Sequence, residues 1–160
     1  MCSCSSSSRT DAIFGEHANT QKRLGIPVLV GEWGGYSEGD EWYPHIYHLL
    51  KFFDDRKWSN TYWAFHEGLI GDGVMDILNR PYPRAVTGEI KAYNHDREAN
   101  KFTLSYEQTA AFDVKSIIYV PSEPKAVECD GEYEIVPCEF GGYTVEIKTE
   151  TGLHEVVISL

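Results

Sequence analysis

The apolar residues of this chain change their period once, around "RPYPRAVTGE" at residues 80–89, and that change most limits what it can fold into. Beyond it, "KFTLSYE" alternates Phe102, Leu104 and Tyr106, "GYTVEIK" alternates Tyr143, Val145 and Ile147, and "HEVVISL" alternates Val156, Ile158 and Leu160. With "SIIYVPS" and "EYEIVP", and the turn-rich pieces "NHDREAN", "CDGE" and "TETG" between them, these predict five or six short strands in a small antiparallel β-sandwich. Ahead of the change, "DAIFGEHANTQKRL" (11–24) places Ile13, Phe14, His17, Ala18, Gln21 and Leu24 on one helical face, and Gly25 ends it. "PVLV" is the continuous apolar run of a strand covered on both sides. Asp40 caps a helix through about Lys57, with Trp42, Ile46, Leu49, Leu50 and Phe53 on its apolar stripe. "NTYWAFH" is a second buried strand ending near His66 and Glu67, and "VMDILN" a short last helix.

The order helix, strand, helix, strand, helix is α/β, with crossovers long enough for parallel strands. The chain therefore divides into an unstructured leader (1–10), an α/β segment (11–86) and an all-β domain (87–160). Two strands cannot close a sheet, so the α/β segment is incomplete as a core.

The formal net charge is -11, divided as -3 over residues 1–86 and -8 over 87–160. No basic stripe exists to neutralise phosphates, which argues against nucleic acid and anionic membrane surfaces as partners. The acidic excess reads as a solvated face. Cys2 and Cys4 sit in the Ser-rich start, and Cys129 and Cys138 are either ordinary thiols or a hairpin bridge. No cysteine or histidine spacing suits zinc. No apolar run is long enough for a membrane-spanning helix, and "MCSCSSSSRT" lacks the apolar centre of a signal peptide, which leaves localisation open.

"IPVLVGEWGG" carries an apolar strand straight into Glu32, followed by Trp33, Gly34 and Gly35. In barrels of alternating strands and helices, chemistry sits at the carboxyl ends of strands, where such a Glu lies. The glycines permit close approach of backbone or ligand. Trp33, Tyr36, Trp42 and Trp63 supply flat surfaces on which sugar rings stack. The alternative is a solvated loop acid beside core tryptophans. His45 and His48, three apart on a helix, lack a third ligand and read as packing or surface residues. His66 is either structural or near substrate.

"IPVLVGEWGG" resembles the seventh-strand motif of glycoside hydrolase family 5, and "NTYWAFHEG" its eighth strand. "LNRPYPRAVTGEIKAYNHDREANKFTLSYE" is similar to the junction from barrel to β-sandwich in the endoglycoceramidase-like branch of that family. The resemblance, over roughly residues 11–160, implies the end of a (β/α)8 barrel followed by a C-terminal β-sandwich. It implies retaining hydrolysis of a β-glycosidic bond by two carboxylates about 5 Å apart. Glu32 would be the nucleophile, Trp63 the floor of the sugar site and Trp33 its wall, with neither metal nor organic cofactor. The substrate would be a glycoside or glycolipid with a ceramide or sterol aglycone.

One departure stands out. The family's acid/base is the Glu of an Asn-Glu pair, and no such pair occurs in these 160 residues. Glu38, Glu41 and Glu67 are poor substitutes, because general acid catalysis needs a pocket that holds the proton. The chain alone is expected to be inactive, with the missing barrel portion as its partner. The rival reading is a non-catalytic β-sandwich that stabilises a barrel or binds carbohydrate or lipid. The absence of Trp beyond residue 63 counts against sugar binding.

Overall fold

The computed structural model describes residues 4–34 and 40–160. Two compact units divide the chain, Met1–Leu78 and Asn79–Leu160. This division lies ahead of the 86/87 boundary expected from sequence, and the cause is strand β3 (Tyr82–Ala85). It pairs within the second unit, Tyr82 opposite Tyr119 and Pro83 opposite Ile118.

The first unit contains α1 (Cys4–Leu24), β1 (Leu29–Gly34), α2 (Tyr43–Asp55), β2 (Ser59–Trp63) and α3 (Gly73–Leu78). Helix α1 begins inside the segment read as an unstructured leader. No proline or glycine lies between Cys4 and Phe14 to stop it. Strands β1 and β2 are parallel, and α2 connects them. Asp40 does not cap α2 as expected. Residues Asp40–Trp42 form a 3-10 turn and Trp42 takes the cap position without a side-chain hydrogen bond. Pro44 sits in the first helical turn, where its missing N–H costs nothing. At α3, the Asp72 carboxylate accepts from the Val74 amide at 2.7 Å.

Helix α2 buries Ile46, Leu49, Leu50, Phe52 and Phe53 against Trp33, Trp58, Leu69, Val74 and Ile77. Phe14 of α1 meets Phe53 edge-on, ring centroids 5.7 Å apart, and Trp33 meets Phe53 at 5.5 Å. Such aromatic pairs each add about 0.5–1.5 kcal/mol beyond area burial. The opposite face of the strand pair is bare: Leu29 is 66% and Trp63 59% exposed. The expected cover on both faces of "PVLV" is thus found on one face only, because the helices of this unit lie on one side.

The second unit is a sandwich of two four-stranded antiparallel sheets. Its further strands are β4 (Glu89–Asp96), β5 (Lys101–Gln108), β6 (Ser116–Val120), β7 (Ala126–Glu128), β8 (Glu132–Pro137), β9 (Tyr143–Lys148) and β10 (Gly152–Ser159). One sheet runs β4-β5-β10-β7 and the other β3-β6-β9-β8. The eight strands exceed the five or six expected, since β3 contains a proline and β7 has three residues, too few to show alternation.

Phe102, Leu104, Tyr106, Ile118, Val120, Val145, Ile147, Val156 and Ile158 form the core between the sheets. Edge strand β8 carries Glu132, Glu134 and Pro137, residues that discourage pairing with a further chain. Cys129, directly after β7, and Cys138, directly after β8, are free thiols. Eight residues lie between them, six of them the extended strand β8, and the hairpin bridge is not formed.

Ile158, fully buried, lies on the central strand β10. Ile158→Ala is expected to destabilise the sandwich by about 2–5 kcal/mol, read as a lower denaturant midpoint for its unfolding transition. A loss below about 1 kcal/mol would show that the site collapses around the cavity.

Candidate active site at the ends of the parallel strands

Side chains alternate along a strand, so a one-residue insertion reverses every position beyond it. Such an insertion occurs in β1. Val30 lies opposite Asn60 and Trp33 opposite Tyr62, so Gly31 and Glu32 together face Thr61. The Thr61 hydroxyl donates to the Gly31 carbonyl at this bulge. Val28 and Val30 pack on the helical core, and the shifted phase brings Trp33 to the same side. Glu32 is left exposed, with Thr61 and Trp63 also on the uncovered side of the strand pair.

Gly34 then has φ +125°, and a Cβ there would stand 2.6 Å from the Trp63 carbonyl and from the Tyr62 ring. Only glycine fits. The glycine after "EW" thus serves close approach of β1 to β2, as its place in the sequence suggests.

The structure separates the predicted site residues. Glu32 and Trp63 share the open face. Trp33 does not: it is 8% exposed, packs on Phe53 and Tyr62, and its indole Nε1 donates to Asn60 Oδ1 at 2.9 Å. A wall for a sugar needs a bare ring face, and this ring is in the core. The reading of Trp33 as substrate-binding is therefore withdrawn. Trp42 is 38% exposed and lies outside the α2 core stripe on which sequence placed it. Tyr36 and Glu38 lie outside the described residues. Glu41 and Glu67 are exposed in 3-10 turns, without the enclosing pocket that a general acid needs. Strand β2 ends at Trp63, short of His66, and His66 is exposed at the start of the second of these turns.

Among the described residues, no group of three metal-binding side chains occurs around His45 and His48 or elsewhere. His48 Nε2 lies 3.3 Å from Asp11 Oδ1, an inter-helix contact. No described helix is long and apolar enough to cross a membrane. Asn60 and Thr61, which hold the strand that carries Glu32, were not singled out from sequence. Their partners lie 27 and 30 residues away, and no local signal reveals them.

Residues 80–158 match the model of the glycoside hydrolase family 5 C-terminal domain. No curated protein sequence matches the chain. Among solved structures, endo-glycoceramidase II from Rhodococcus sp. in complex with a five-membered iminocyclitol is similar, with 23% identity and TM-score 0.76, over 94% of this chain and 37% of that one. The same Rhodococcus enzyme as a lactosyl-enzyme intermediate matches with 24% identity and TM-score 0.75, over 93% and 37%. Cryptococcus neoformans sterylglucosidase 1 matches with 20% identity and TM-score 0.69, over 92% and 31%. The chain thus spans about a third of the length of the structures it resembles.

The histidine pair on α2 gives a solution test. Burial, and then the neighbouring His48, hold the His45 imidazole below its usual range. The unfolded chain takes up a proton near pH 6.5 that the folded chain resists, so folding loses stability as pH falls through and below that value. Thermal unfolding of the first unit is expected at lower temperature at about pH 5 than at about pH 7.5. His45→Gln should flatten that dependence; an unchanged slope would remove His45 as its source.

Proposed function

We propose, since residues 80–158 match the model of the glycoside hydrolase family 5 C-terminal domain, that the chain is the C-terminal part of a retaining β-glycosidase acting on glycolipids. The observation that carries this reading is the exposed Glu32 in β1, on the open face that Trp63 of the parallel partner strand shares. Carboxyl ends of parallel strands are where barrel enzymes place their reacting groups.

In this reading the Glu32 carboxylate attacks the anomeric carbon, and the bond from that carbon to the aglycone oxygen breaks. A second carboxyl group protonates the leaving oxygen, then takes a proton from the water that releases the sugar from Glu32. Trp63, 59% exposed, offers its ring to the sugar's C–H face. The lactosyl-enzyme form of the Rhodococcus enzyme supports a covalent intermediate. The substrates named for the similar structures, glycoceramide and sterylglucoside, support a glycolipid. The second carboxylate comes from the remaining barrel portion, since no Asn-Glu pair occurs in this sequence. The 160-residue chain alone is then inactive, and its sandwich is a stabilising domain.

Glu32→Gln in the completed enzyme is expected to lower kcat by about 10³-fold or more, a loss typical of removing a nucleophile. Activity retained within about tenfold would reject Glu32 as nucleophile. Limited proteolysis of the native 160-residue chain should cut first within residues 1–78, whose strand pair has a bare apolar face and open edges, and leave a core beginning near residue 80. Equal resistance of both units would show that the first is closed in some other way.

A further inference from the structure

We infer that Asn60, Thr61 and Trp33 are positioning residues for Glu32: two side-chain hydrogen bonds across the β1 bulge set the face on which the carboxylate stands. The inference rests on the reading of Glu32 as the reacting group, and it concerns how that group is aimed.

The two bonds straddle the extra residue. Asn60 pairs in register with Val30, ahead of the bulge, yet its Oδ1 accepts from the Trp33 indole beyond it, at 2.9 Å. One bond therefore spans Gly31 and Glu32. Thr61, the single residue opposite those two, donates to the Gly31 carbonyl and ties down the bulged backbone itself. Trp33 is driven inward by its edge-on contacts with Phe53 and Tyr62, centroids 5.5 and 5.2 Å apart. Gly34, at φ +125°, lets the chain rejoin β2 against the Trp63 carbonyl.

Removing the bulge would restore regular alternation, and the alternation would then place Glu32 on the side of Val30, toward the helices. Trp33 would turn out to the open face. The indole, the amide and the hydroxyl thus choose between two phases of one strand, and the chosen phase exposes Glu32 beside Trp63. Trp33 serves the site from within the core, through hydrogen bonding and packing.

The test uses the 160-residue chain. Carbodiimide-driven coupling of glycine ethyl ester to carboxylates, read by peptide mass spectrometry, reports Glu32 against the exposed Glu67 as internal reference. Exchange of the Trp33 indole proton by NMR, assigned with Trp33→Phe, reports the bond to Asn60. In the native chain Glu32 should label freely, and the indole proton should exchange about tenfold or more slower than in free tryptophan. Asn60→Leu and Thr61→Val should lower Glu32 labelling severalfold relative to Glu67 and remove the indole protection. Asn60→Asp and Thr61→Ser, which retain the acceptor and the donor, should keep both near the native level.

Unfolding of the unit would leave Glu32 labelled, so a fall in its labelling marks reorientation rather than loss of structure. Three results each overturn the inference: free exchange of the indole in the native chain; native labelling and protection in both Asn60→Leu and Thr61→Val; or loss of protection with Glu32 labelling unchanged. None of these readouts depends on turnover. Failure of Glu32→Gln to affect activity would reject the nucleophile and leave the aiming device to be judged by these measurements.

Discussion

Parity along a single strand governs the first unit. Val28 and Val30 must face the helices, and Trp33 must join them to complete the aromatic packing around Phe53. An odd step separates Val30 from Trp33, so a regular strand cannot bury both on one side. The extra residue at Gly31–Glu32 resolves the conflict, and the exposure of Glu32 is its by-product. What reads in the sequence as an apolar run ending in an acid is a core strand with a one-residue correction, and the correction is where the acid stands.

The second unit keeps its alternation intact, and that has its own consequence. Phe102, Leu104 and Tyr106 face inward along β5, so Gln108 at the strand's end must face inward as well. Both the oxygen and the nitrogen of its amide find partners. Gln108 Oε1 accepts from Thr87 and Thr149 hydroxyls at 2.5 and 3.1 Å, while its Nε2 donates to the Thr149 carbonyl at 3.2 Å. Ser116 and the Tyr106 hydroxyl extend the network, each at 3.0 Å from its threonine partner. An unmet amide there would cost about 1–3 kcal/mol, so this network needs all its members to be neutral or better. On the outer surface, Lys91 lies between Glu89 and Glu107, and Lys115 between Glu134 and Glu146. The hydrogen bonds that the two lysines donate to those carboxylates, Glu107 and Glu134 foremost, raise them above their ordinary range. The acidic half is thus a solvated surface with paired charges, as its composition suggests.

Much of this was legible in the sequence because it is local. The switch of period, the helix ends at Gly25 and before "RPYP", and the alternating runs of β5, β9 and β10 each depend on neighbours a few residues away. The corrections share the opposite property. The resemblance makes Trp33 a wall for substrate; its burial depends on Phe53 and Asn60, reached only through the fold. The bulge has no composition of its own beyond one glycine. β3 was hidden by Pro83, and its assignment to the sandwich required seeing Ala85 opposite Ile117. Asp40 was read as a cap from residue type, but the chain tightens into a 3-10 turn first and passes that place to Trp42.

The open face of the strand pair links what this chain provides with what the proposed chemistry still requires. Retaining hydrolysis needs a second carboxyl group about 5 Å from the first, with its proton held near neutral pH by a pocket. A carboxylate on an uncovered two-stranded sheet has water on one side, so the described residues of that face provide neither a second carboxyl group nor a dry site. Covering that face would supply both at once. The same event would bury Leu29, now 66% exposed, and turn Trp63 from a bare apolar ring into one side of a cavity. The apolar cover needed for a stable barrel and the enclosure needed for catalysis are therefore one requirement. In the proposed enzyme, the bulge in β1 leaves Glu32 on the inner side of such a cover.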